Sequence, residues 1–183
     1  MNRGYRYLCL LFIFWVGGAA AAAFHIRDVQ IERAGKQYFL SMQIEYRLSE
    51  TALEALSNGV PLLLEVQVQV EKVWGSLWDE RPVDIILRHQ IRYHALTGLY
   101  RVVDLQSGDE ESFVTRDAAL DAVGDLQRLR LITTSELNPD EEYHVRIRAE
   151  LDIESLPLPL RPLAYLDKDW KLTSGWTQWP LKP

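Results

Sequence analysis

Four stretches of this chain place an apolar side chain at every second position, and that one pattern excludes most architectures. Tyr38, Leu40, Met42, Ile44, Tyr46 and Leu48 form the first. Leu62, Leu64, Val66, Val68 and Val70 form the second, with Glu65, Gln67, Gln69 and Glu71 between or beside them. Ile85, Leu87, His89, Ile91, Tyr93 and Ala95 form the third, and Tyr143, Val145, Ile147, Ala149, Leu151 and Ile153 the fourth. Successive side chains of a strand project to opposite faces, so each stretch buries one side and wets the other. Shorter strands are expected at 26–32, 100–105 and 129–133.

Two short helices interrupt the alternation. Ser49 or Thr51 can cap the first, with Thr51 and Glu54 at capping-box spacing and Asn58-Gly59 ending it. Thr115 can cap the second, whose Ala119, Ala122, Val123 and Leu126 follow helical spacing and whose Gly124 marks an early stop. Helices this short cannot cover a large sheet. Long strands with one polar side and turn-rich links predict an all-β fold with minor α content, an antiparallel β-sandwich of two sheets packed face to face. An immunoglobulin-like strand order is compatible with the pattern but does not follow from it.

The ends frame this domain. Arg3 and Arg6 precede an apolar run over 7–16 and a small-residue run over 17–23, the order of a secretory signal peptide. Ala21 and Ala23 fit the cleavage pattern, so residues 1–23 are expected to be removed and 24–183 to form a single domain located in the periplasm or otherwise exported. The rival is a retained anchor, since the uncharged stretch is roughly 18 residues, the short edge of a bilayer span. Cys9 is the only cysteine and lies inside that run, so the domain has neither disulfides nor a thiolate site. The formal charge of −6, which loses two arginines and no acid with the leader, argues against nucleic acid as a partner. At the other end, 156–162 reads LPLPLRP, whose prolines favour an extended crossing or edge segment over a central strand. Trp170, Trp176 and Trp179 follow, too much apolar surface for a solvated tail, so 156–183 is expected to dock.

Several local patterns in order carry a resemblance. Asn58-Gly59-Val60-Pro61-Leu62 enters the second strand; Arg92-Tyr93-His94-Ala95-Leu96 precedes Tyr100-Arg101-Val102; Asp169-Trp170-Lys171-Leu172 leads to Ser174, Trp176, Trp179 and Pro180. Together they resemble an exported bacterial family known as domain of unknown function 4390. The resemblance implies no catalytic residue that could be carried over, and it implies a gene neighbourhood that encodes a membrane sensor kinase.

Residues able to carry chemistry are scattered. His89 has inward parity, His94 the opposite, and His144 lies on the polar side of another strand, so no metal site is expected. There is no G-x-S-x-G or S-x-x-K motif, and Asp109-Glu110-Glu111 beside Gly108 reads as a solvated turn. No cofactor and no catalytic residue are expected. Arginine is more informative: Arg88 and Arg92, Arg128 and Arg130, and Arg146 and Arg148 fall on the polar sides of three strands. If those strands are neighbours they form a basic stripe able to hold an anionic ligand; otherwise they pair with Glu65, Glu71, Glu150 or Glu154. Trp74 and Trp78, with the three C-terminal indoles, make the second candidate surface. The function expected is a non-catalytic binding module of the cell envelope recognising a protein or peptide through a free strand edge or the tryptophan segment, with an envelope hydrolase and a carrier of lipid or another apolar ligand as alternatives. Membrane contact is expected only if the N-terminal segment is retained.

Overall fold

The structure, a computed structural model, describes residues 23–73 and 82–182. The expected signal segment, but for Ala23, and Trp74 and Trp78 lie outside them. Nine strands are present among the described residues: β1 (Phe24–Ala34), β2 (Gln37–Tyr46), β3 (Leu62–Lys72), β4 (Val83–His94), β5 (Leu99–Asp104), β6 (Glu110–Phe113), β7 (Asp125–Thr133), β8 (Tyr143–Leu151) and β9 (Thr177–Leu181). Every pairing is antiparallel, in a three-stranded sheet β1-β2-β7 and a six-stranded sheet β6-β5-β4-β3-β8-β9.

The alternation is realised side chain by side chain. Tyr38, Leu40, Met42, Ile44 and Tyr46 of β2 are buried, as are Leu64, Val66, Val68 and Val70 of β3 and Val145, Ile147 and Ala149 of β8, all in one apolar cluster shared by both sheets. Filling that space with branched and unbranched aliphatics is the dominant stabilising term, about 1.5–3 kcal/mol per fully buried side chain. The expected all-β antiparallel class is therefore found. The strand order is not that of an immunoglobulin domain, because β3 to β6 form a continuous meander within one sheet.

Both expected helices form. Helix α1 (Glu50–Ser57) is capped by Ser49, whose side chain accepts from the Ala52 amide; Thr51 instead reaches Asp169. Helix α2 (Arg116–Gly124) is capped by Thr115, which accepts from Ala118. Gly124 ends α2 against β2 so closely that a Cβ there would lie 2.1 Å from the Ile44 carbonyl oxygen. Only glycine allows that approach.

A third helix, α3 (Arg161–Leu166), corrects the extended path expected of LPLPLRP. Pro162 falls in its first turn, where the missing N–H costs no hydrogen bond and the fixed φ suits a helix. Glu110 and Glu111 are likewise not in a turn; they open β6, an edge strand held by β5. In the C-terminal segment Leu156, Trp170, Leu172 and Leu181 are buried, and β9 adds to the edge of β8.

Candidate functional site

The outer face of the six-stranded sheet is built on β3. Its Glu65, Gln67, Gln69 and Glu71 share parity, and the antiparallel register sets Arg88 opposite Glu65 on one side, with Arg148 opposite Gln67 and Arg146 opposite Gln69 on the other. Arg88 Nε donates to Glu65 Oε2 at 2.8 Å, and Arg146 Nη1 donates to Glu71 Oε2 at 3.0 Å, with His144 Nε2 3.6 Å from the same oxygen. Arg148 Nη2 lies 2.9 Å from Glu150 Oε1 and donates to Gln67 Oε1 at 3.2 Å.

Trp176, just before β9, covers two of these guanidinium groups. Their central carbons lie 4.7 Å (Arg146) and 4.9 Å (Arg148) from the indole centroid, within cation–π range. Arg148 Nε is buried with no hydrogen-bond partner among the described residues. Charge-pairing, stacking and lost rotamer freedom together fix these long side chains. They are presented to a ligand already ordered, which lowers the entropic cost of binding.

The carboxylates are unevenly tuned. Burial raises the Glu150 pKa, opposed by the Arg148 charge and reinforced by Glu65 and Asp152. Glu65 and Glu150 face each other directly in the register, so two acids share the middle of the face. Asp104, at the end of β5, goes the other way: burial would raise it, but the amide N–H groups of Gln106 and Ser107 hold it below the ordinary range.

The six arginines do not form one stripe. Arg88, Arg92, Arg146 and Arg148 share the outer face of the six-stranded sheet, while Arg128 and Arg130 belong to β7 in the other sheet. Arg92 donates to the Gly59 carbonyl at 3.1 Å and sits opposite Arg101, whose own Nη2 lies 3.0 Å from Glu110. Arg101 was not singled out in the sequence, although its parity in Tyr100-Arg101-Val102 matches that of the other arginines. Arg128 lies over the Phe39 ring at 4.6 Å, and neither it nor Arg130 has a carboxylate partner among the described residues.

Of the tryptophans among the described residues, Trp170 is buried in the core, Trp179 is half-buried beside it, and Trp176 alone joins the arginines. Trp179 also lines an open groove of about 770 Å³ with Tyr143, His144, Glu142, Pro180 and Lys182. His89 points inward from β4. Its Nδ1 is buried without a hydrogen-bond partner among the described residues, and burial lowers its pKa against the pull of Asp104. No group of three or more His, Cys, Asp or Glu side chains among the described residues is placed to hold a metal ion. No helix among them is long and apolar enough to cross a membrane.

These features define a two-sheet antiparallel β protein whose distinctive surface is a charged, indole-covered sheet face. The chain belongs to the family described as Domain of unknown function (DUF4390), whose model matches residues 21–180. No curated protein and no solved structure matches it.

Proposed function

We propose that this chain is an exported, non-catalytic binding module of the bacterial cell envelope that recognises a protein or peptide partner on the outer face of the six-stranded sheet. The observation that carries the reading is the ordered arrangement of Arg146 and Arg148 under Trp176, beside Glu71 and Glu150. Such a face offers aromatic area and fixed charge-assisted donors to an extended acidic segment, the combination found at interface hot spots. The filled space between the sheets, where Leu40, Leu64, Val66, Val68 and Ile147 are each fully buried, favours a binder over a carrier of apolar ligands. A membrane sensor kinase, implied by the family resemblance, is the first partner to try.

The test is cross-linking capture from an envelope extract, run in parallel on the wild-type chain and on W176A and R148A variants with unchanged circular dichroism. A partner recovered by the wild type and lost with both variants supports the reading. Equal recovery by all three, or turnover of an envelope substrate with no partner, overturns it.

A further inference from the structure

The fold has two poles, and they differ in what they expose. At one, the Ala23 carbonyl accepts from the Arg47 amide at 3.2 Å and Phe24 pairs with Tyr46, so the N-terminal segment joins the fold there. Ser49 at the start of α1 donates to the Asp169 carbonyl at 2.6 Å, tying the 168–170 turn to the same place. Helix α3 packs on that turn, and Tyr165 donates to Glu154 at 3.0 Å. The link between β4 and β5 ends here too, because Arg92 bonds Gly59 just beyond α1. At the opposite pole lie the β1–β2 hairpin and the Tyr38 hydroxyl bonded to the Lys182 carbonyl at 2.9 Å.

Exposed apolar side chains gather at the first pole. Leu96 (103% exposed), Leu166 (85%), Leu158 (74%) and Leu163 (61%) all lie there with Tyr165, while the remaining exposed large apolar residues, Val73, Leu105 and Val114, lie in other links. Folding gains nothing by leaving four leucines in water. They project from separate segments, the β4–β5 turn, the proline-rich link and α3, and exposed charges of both signs stand in those segments and beside them, Lys168 and Lys171 with Asp167, Asp169 and Glu154, and Arg47 paired with Glu45. Leucines dispersed over separate segments, with a tyrosine among them, suit a fluid lipid interface better than a shape-matched protein surface. Residues 7–23 carry no charge, and Ala23, the last of them, bonds Arg47 at this pole.

We propose that this pole rests on a lipid bilayer, with Leu96, Leu158, Leu163 and Leu166 at the acyl boundary and the opposite pole facing away. The leucines give the domain a peripheral hold in this orientation. The test uses the full chain with C9S, reconstituted in vesicles of phosphatidylethanolamine and phosphatidylglycerol. A polarity-sensitive label is attached at L163C, at L96C or, at the far pole, at K36C. The expected result is blue-shifted emission and several-fold protection from an aqueous quencher at 163 and 96 but not at 36. Equal accessibility at all three overturns the proposal. So does protection at 163 that is already present without lipid and grows with protein concentration, the behaviour of a self-associating face. Adding L158D and L166D to the L163C chain, with circular dichroism unchanged, should return the label to a water-like spectrum; retained protection also overturns the proposal.

Discussion

Two segments of nearly identical sequence pattern, Arg128-Leu129-Arg130 in β7 and Arg146-Ile147-Arg148 in β8, end in opposite ionic surroundings. Across from β8 lies β3, whose outward residues are Glu65, Gln67, Gln69 and Glu71, and the β8 arginines are bonded, paired and stacked. Across from β7 lies β2, whose outward residues there are Phe39 and Ser41. Arg128 sits at an irregularity with φ of 52°, its amide bonded to Ser41 Oγ and its guanidinium over Phe39. Alternation decides which side of a sheet a residue occupies; the neighbouring strand decides what it meets. The six-stranded sheet pairs its β8 arginines with carboxylates, whereas on the three-stranded sheet such pairs form at Glu45, with Arg27 and Arg47, and not at the β7 arginines.

If the three-stranded sheet depends on its buried contacts, Phe24→Ala should be the most damaging change. Phe24 is fully buried and meets Tyr46 edge-on at 4.9 Å, and its removal should cost about 4 kcal/mol in urea-unfolding free energy. A loss below about 1 kcal/mol would show that β1 is not anchored there. Gly124→Ala should follow at about 2–3 kcal/mol, because a methyl group would meet backbone at Ile44 and force α2 away from β2. Calorimetry should show a lowered Tm.

The comparison between arginine faces is sharpened by smaller effects. Trp176→Ala removes the cover from two cations and should cost about 1–2 kcal/mol, whereas Arg128→Ala, which loses one exposed stack, should cost about 0.5 kcal/mol. Equal losses in matched denaturant titrations would break the distinction. The last effect is a pH dependence on the inner side of β4. Burial holds the folded-state pKa of His89 below its ordinary value of 6.5, so the unfolded chain takes up a proton first. Stability from this group is complete above about pH 6.5 and is lost as the pH falls through its lowered folded value. Thermal melts from pH 7.5 to 5 should show this fall, and His89→Leu should flatten it.

What could be read from the residues follows the same division. The four long alternating stretches fix β2, β3, β4 and β8 because burial of one face is a local property written in each segment. The edge strands of the six-stranded sheet are hidden: Glu110–Phe113 has too little apolar content to signal a strand, and Thr177–Leu181 contains Pro180, yet each is held by the hydrogen-bonding edge of a neighbour. Helix α3 escaped because three prolines suggest extension, while Pro162 at a helix start is compatible with a turn of helix. For the arginine face, parity was legible but sheet membership was not. Nothing in the local sequence of β7 reveals that it pairs with β2 and not with β3.

The central strand of the larger sheet bonds a partner made much later: Gln67 on β3 and Arg148 on β8 are 81 residues apart. Until β8 emerges from the ribosome, β3 has only its β4 edge satisfied. Closing so long a loop is slow, and contacts that reward it arrive last. A nascent chain of this design can complete its larger sheet only when most of its length has been made.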